Sequence, residues 1–228
     1  MAPPIHLRPS TEVAERVLLP GDPHRALAVA QAVLEDPLML NHARGLWGYT
    51  GRAPDGQPLS VQSTGMGGPS AAIVVEELIG LGARRLVRIG TCGALHERLE
   101  LGTLVAAKRV IPADGASRAL GAVAPLVPDA GLTAALTQAG ARPVTVVTSD
   151  LFYDPREGVQ AEWSRQGAEV VEMEAAVLLR LAEVKGVAAA CVLAVTDVPR
   201  GGQMERVGRG KLEALGVRLG EVGWAAFA

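Results

Sequence analysis

The sequence predicts an α/β fold: a single α/β/α layered domain on a central mixed β-sheet, covering residues 1–228. Three observations predict it. Short apolar runs of strand character alternate along the chain with segments of helical character. Residues 187–195 are almost wholly apolar, the pattern of a strand covered on both faces. With 49% hydrophobic and 20% charged residues over 228 positions, the chain can bury a sizeable core without dividing.

Each element has its own signal. Residues 16–19 read as a strand that ends in Pro20-Gly21-Asp22-Pro23, a dense turn signal at which a loop opens. A strand over 59–64 runs into the glycine turn 65–68, and Pro69 and Ser70 open a helix that Gly82 stops. Residues 85–89, 104–107 and 144–147 are further strand-like runs. Residues 115–131 are rich in small residues and read as an exposed loop. Val170 and Val171 lead into a helix whose Val177, Leu178, Leu181 and Val184 share one face. After Gly201-Gly202, residues 204–224 read as a closing helix, with Val207, Leu212, Leu215, Leu219 and Val222 on one face.

The formal net charge of −2 gives no electrostatic reason to expect nucleic acid or an anionic membrane as a partner, because a basic face normally meets those. Small molecules are the expected ligands. Lys108, Lys185 and Lys211 are the only lysines among 22 basic residues; arginine grips phosphate bidentately, although the bias alone reflects composition. Cys92 and Cys191 lie in apolar runs and read as free structural thiols. Neither they nor His6, His24, His42 and His96 have metal-motif spacing. The turn at 65–70 departs from a dinucleotide fingerprint, because Ser70 stands at the third glycine position. No metal and no cofactor are therefore expected. The first 16 residues lack the apolar core of a signal peptide, and no run reaches the roughly 18 apolar residues that span a bilayer. The expected location is the cytoplasm.

Ligands of open α/β sheets lie beyond the carboxyl ends of strands, which singles out four places. At the first, the Gly21 N–H in its tight turn and the nearby Arg25 can hold an anion; an ordinary surface turn is the simpler explanation if it stood alone. At the second, Arg88-Ile89-Gly90-Thr91, an arginine in an apolar run is costly to bury without a partner. A bound phosphate or a carboxylate such as Glu76 or Glu77 would serve equally. Thr91 adds a hydroxyl donor, and Gly90 lets the backbone come close. The third is Val171-Glu172-Met173-Glu174, where a carboxylate can accept hydrogen bonds from two sugar hydroxyls; for a single acid, the helix macrodipole is explanation enough. The fourth is Thr196-Asp197, an acid after a buried strand, where a general acid or a simple Asx-turn can stand.

Taken together and in this order, LLPGDPHRA, RGLWGYTG, STGMGGPSAAIVVEELIGLGARRLVRIGTCGA, TSDLFYDP and EVVEMEAA resemble the nucleoside phosphorylase family that includes hexameric purine nucleoside phosphorylase and uridine phosphorylase. The match runs over residues 6–197. The resemblance implies that Gly21, Arg25, Arg88 and Thr91 hold inorganic phosphate as co-substrate, with Arg44 reaching in from a neighbouring subunit. Each is an N–H, guanidinium or hydroxyl donor, as a phosphate site requires. It implies ribose contacts from Met173 and Glu174, and from the neighbour's His6, which stands one residue nearer the Pro-Gly-Asp turn than in the family. Phe152, Thr196 and Asp197 would face the base, with Tyr153 nearby. A homohexamer, a trimer of dimers with shared active sites, is implied as well.

In phosphorolysis, phosphate beneath the anomeric carbon is both nucleophile and stabilising charge. Asp197 is the implied proton donor to the leaving base. Arg206 is the implied assisting arginine once a deletion is allowed for, with Arg209 as substitute. The glutamine by which uridine phosphorylases read uracil is missing from Asp154-Pro155-Arg156-Glu157-Gly158, which favours a purine substrate, although TGMGGPS and ADGAS resemble the uridine branch as much. Hydrolytic nucleosidases on this fold lack the phosphate arginines. A non-catalytic nucleoside or phosphate binder is the reading from another class.

Overall fold

Arg16–Pro20 are all buried and form strand β1, as an apolar run central to a sheet must. The structure is a computed structural model and describes residues 4–228. The loop expected after β1 is a helix start. Asp22 accepts a hydrogen bond from the Arg25 amide at 2.7 Å, and Pro23 occupies the first turn of helix α1, Pro23–Val33. A capping carboxylate and a proline are what amides without intrahelical partners favour.

Three strands then form an antiparallel meander: β2 (Glu35–Asn41), β3 (Gly48–Arg52) and β4 (Pro58–Gln62). Helix α2 (Gly68–Gly80) has its proline in the first turn and stops before Gly82, whose φ is 115°. Along the rest of the chain follow β5 (Arg85–Ala94), β6 (Leu104–Pro112), α3 (Gly115–Ala119), α4 (Ala130–Gln138), β7 (Arg142–Thr148), α5 (Val159–Arg165), β8 (Val170–Glu172), α6 (Ala175–Lys185), β9 (Ala188–Arg200), β10 (Gln203–Arg206) and α7 (Arg209–Ala225).

Two expectations are corrected here. The small-residue stretch 115–131 is not one exposed loop: Asp114 caps α3 through the Ser117 amide at 2.7 Å, and Ser117 and Ala122 are buried, while Val123 and Val127 stay exposed. The closing helix begins at Arg209 rather than at 204. Gly201 and Gly202 both take positive φ, a reversal that glycine adopts without a Cβ penalty, and the chain folds back as β10 against β9.

The strands run in the order β10-β9-β6-β7-β8-β5-β1-β4-β3-β2, with β9 also paired to β5. That extra pairing joins β5, β9, β6, β7 and β8 into a ring. It also carries β5 past Ile89, still in parallel register with β9 at Cys92↔Val195. Successive β1 side chains enter opposite layers, as the period of a strand requires. Val17 and Leu19 join Val74, Leu78 and Leu178 of α2 and α6, and Leu18 joins Val29 and Leu219 of α1 and α7. This is the expected α/β/α arrangement on a mixed sheet. β1 runs parallel to both β4 and β5, so their carboxyl ends share one rim. There the Gly65 amide donates to the Gly21 carbonyl at 3.0 Å. Among the described residues no helix is long and apolar enough to cross a membrane.

Candidate active site

Arg88, in β5, is only 5% exposed, and a buried guanidinium needs partners. It has two. Nε donates to Glu172 Oε2 at 2.8 Å, and Nη2 is ion-paired with Glu174 Oε2. Nη1 is buried without a hydrogen-bond partner among the described residues. The carboxylates of the preceding helix go elsewhere: Glu76 pairs with Lys185 at 2.5 Å, and Glu77 with His6. Burial alone would lower the pKa of Arg88, but the Glu174 and Glu172 charges outweigh it and push it up. The side chain leans along the strand over Gly90, where a Cβ would stand 2.8 Å from Nη2.

Glu174 links this arginine to the glycine turn, its Oε1 accepting from the Gly67 amide at 2.5 Å. Gly67 donates from φ 86°, and Ser70 closes the turn by donating to the Thr64 carbonyl at 2.6 Å. Met173 is half-buried next to it in sequence. Glu172, one of the two acids singled out at the third place but given no role of its own, and Thr148, which the sequence did not single out, are both buried and bonded to each other at 2.5 Å. The same argument that marks Arg88, a charge inside an apolar run, could have marked Glu172.

Arg25 lies in the first turn of α1, its stem packed across Gly216 of α7, where a Cβ would be 3.3 Å from Cγ. Burial lowers its pKa; Asp22 opposes that, and the charge of Arg88 adds to the lowering. Among the described residues no carboxylate lies within ion-pair distance of Arg25. Gly21 follows the last residue of β1, four positions before Arg25, and Thr91 lies within β5, half-buried, one residue beyond Gly90.

Asp197 is reached through β9. Its cross-strand neighbour in β5 is Gly93, and in β10 it is Arg206. Arg206 Nε donates to Asp197 Oδ1 at 2.7 Å, and the Thr196 hydroxyl donates to Oδ2 at 2.7 Å. Arg206, not Arg209, is thus the arginine on this acid. The Arg206 guanidinium lies 5.9 Å from the Phe152 ring centroid, and Phe152 meets Tyr153 edge to face at 5.0 Å. Both rings are largely exposed, so an apolar platform stands beside the acid.

Two predicted residues are not brought into this group within one chain. His6 is held on Glu77, its Nδ1 2.8 Å from Oε1. Arg44 is exposed in the turn between β2 and β3, in left-handed backbone with φ 59°, a conformation costly for a residue with a Cβ and frequent at functional positions. A hollow of about 380 Å³ at the opposite, amino ends of β1 and β5 is lined by Glu15, Arg16, Gln57, Pro58 and Arg85. There the Arg16 donors are already taken by Asp55 and the Pro58 carbonyl. Among the described residues no three His, Cys, Asp or Glu side chains are grouped to hold a metal ion.

Residues 15–214 match the sequence profile of the Phosphorylase superfamily. The chain belongs to that superfamily. Relatives named purine nucleoside phosphorylase DeoD-type are similar over most of the chain. The protein from Clostridium perfringens is 37% identical over 82% of this chain and 83% of its own, and that from Geobacillus kaustophilus 36% over 85% of each. The Caldanaerobacter subterraneus protein is 38% identical over 82% of this chain and 84% of its own. In this phosphorylase-superfamily member, the cationic group Arg25–Arg88, the acid Glu174 and the acid Asp197 stand along one rim of the sheet.

Proposed function

We propose that this chain is a purine nucleoside phosphorylase, which reversibly cleaves a ribo- or deoxyribonucleoside with inorganic phosphate to give free base and pentose 1-phosphate. The observation that carries this is Arg88 Nη1, a buried donor without a partner among the described residues, together with Arg25, which has no ion pair among them and follows β1 on the same rim. An arginine cluster with spare donors suits phosphate, and a hydrolase would have no use for it.

In the proposed reaction a phosphate oxygen attacks C1′ of the ribose as the C1′–N9 bond breaks, and the bond's electron pair leaves with the base. Gly21, Arg25, Arg88 and Thr91 hold the phosphate. Glu174 and Met173 receive the sugar, with Glu174 accepting from its hydroxyls. Asp197 gives the departing purine a proton, assisted by Arg206. Phe152 and Thr196 border the base, with Phe152 offering its exposed face. Phosphate supplies the nucleophile and a side chain the proton, so this chemistry calls on no cofactor.

Charge supports sharing between subunits. Arg25 and Arg88 carry two positive charges, and Glu172 and Glu174 two negative ones. A phosphate dianion added to that balance wants a further cation. Arg44, exposed and in a left-handed turn, is a fitting donor to a neighbour's site, as His6 is to its ribose. The proposed assembly is a homohexamer, a trimer of dimers, built from one-domain chains in the cytoplasm.

Release of hypoxanthine from inosine, measured in dialysed protein with and without phosphate, tests this reading. Release should depend on phosphate, and Arg88→Ala should abolish most of it. Equal release without phosphate would make the protein a nucleosidase. Uridine cleaved faster than inosine would move it to the uridine branch, which the absence of a glutamine in residues 154–158 disfavours. Tight nucleoside binding without turnover would make it a binding protein.

A further inference from the structure

Glu172 carries five hydrogen bonds on one carboxylate and has no part in the chemistry above. Its side chain is 1% exposed. Oε2 accepts from Arg88 Nε at 2.8 Å, from the Glu174 amide at 2.8 Å and from the Ala175 amide at 2.9 Å. Oε1 accepts from the Thr148 hydroxyl at 2.5 Å and from the Ala175 amide at 3.0 Å. Thr148 Oγ1 accepts in turn from the Ala176 amide at 3.0 Å. Burial pushes the Glu172 pKa up, while Arg88 pulls it back.

The donors come from both halves of the site. Arg88 belongs to the phosphate side. The amides of residues 174–176 open α6, where a helix leaves them without intrahelical partners, and their turn sets the position of the Glu174 carboxylate. β8, which delivers that turn, is only three residues long. Strand pairing ends at Glu172, opposite Thr148, so beyond it side-chain acceptors must hold the backbone. On the other side, gripping Arg88 by Nε while Nη2 goes to Glu174 leaves Nη1 as the spare donor.

We propose that Glu172 is a positioning residue that ties the phosphate half of the site to the ribose half, one buried carboxylate fixing the Arg88 guanidinium and the backbone that presents Glu174. The inference rests on the phosphorolytic reading above. Glu172 itself touches neither substrate. Its loss disturbs both binding constants, phosphate more, because Arg88 loses an ionic partner whereas the amides can keep a carbonyl acceptor.

Glu172→Gln keeps the side-chain length and one acceptor and removes the charge. Calorimetry with inorganic phosphate should show affinity weakened about 10-fold, and KM for inosine should rise about 2- to 5-fold. A residue that served only the fold would lower the active fraction, and so kcat, with both KM values unchanged. In the Arg88→Ala background, Glu172→Gln should weaken phosphate binding by less than about 2-fold, because the two side chains act as one unit. Thr148→Val, which removes the hydroxyl bond to Oε1 and with it the acceptor of the Ala176 amide, should raise KM for phosphate about 3-fold, and it carries the test if Glu172→Gln does not fold. Unchanged phosphate affinity in Glu172→Gln, full additivity with Arg88→Ala, or, should Glu172→Gln not fold, an unchanged phosphate KM in Thr148→Val would overturn the proposal. Absence of phosphate binding by the unaltered protein would instead overturn phosphorolysis itself, and this inference with it.

Discussion

Arg206 stands directly opposite Asp197 in the β9–β10 hairpin, Nε 2.7 Å from Oδ1. The pair is set by strand register. Gly201 and Gly202 reverse the chain, and Arg200↔Gln203 starts a ladder that brings residue 206 to residue 197. Asp197→Asn keeps the shape and removes the proton, so inosine turnover should fall by about 10²–10⁴-fold, with a much smaller loss on 7-methylguanosine, whose base leaves without protonation. Arg206→Ala should follow the same substrate pattern more weakly, and Arg209→Ala should be near neutral. Equal losses on both nucleosides would leave Asp197 with a positioning role only.

Gly90 should be intolerant of a methyl group. A Cβ there would be 2.8 Å from Arg88 Nη2, 3.0 Å from Cζ and 2.9 Å from Leu193 Cδ2, so either the guanidinium or the ring seam must move. Gly90→Ala should cost about 1–3 kcal/mol of stability and raise KM for phosphate more than KM for inosine. A variant with an unaltered phosphate KM would show that Arg88 has room to adjust.

Active sites should complement one another across subunits. Arg44→Ala and Asp197→Asn oligomers should each be weak, and mixing their subunits should restore activity, because some mixed sites then hold an intact Arg44 from one chain and an intact Asp197 from the other. Activity that stays low after verified mixing argues for sites built from one chain.

Glu77 should make stability pH-dependent. Burial by itself raises it, but the amides of Leu7, His6 and Ile5 and the His6 ring outweigh that and hold it at about 2, against an ordinary 4.5. A depressed carboxylate contributes fully above about 4.5, and the contribution is lost as pH falls toward 2. Glu77→Gln should therefore lower Tm by roughly 4–8 °C at pH 7, from about 2 kcal/mol lost in charge-assisted bonds. The gap between the two proteins should narrow below about pH 4.5 and close only as pH reaches about 2. A constant gap across the range would mean that the carboxylate's charge is not involved.

What the sequence determined by itself is local. The alternation of apolar runs and helical faces specified the layers, because burial on one or both faces leaves a period that can be read directly. Pro69 and Gly82 bracketed α2, because proline and glycine act on the backbone they occupy. Gly21, Arg25, Arg88, Glu174 and Asp197 were legible as candidates, because each stands where a strand run ends or carries a charge within one. The start of α1 at Asp22 and the hairpin at residues 201–202 were misread, since the same turn residues serve a loop, a cap or a reversal until a partner strand or helix is present. Tertiary structure alone decided the partners. Which carboxylate meets Arg88 depends on bringing β5 next to β8, 84 residues on. The answer was Glu172 and Glu174 rather than Glu76 or Glu77, because a buried charge is satisfied by whatever the sheet's ring places beside it, and that juxtaposition is written in no single segment of the chain.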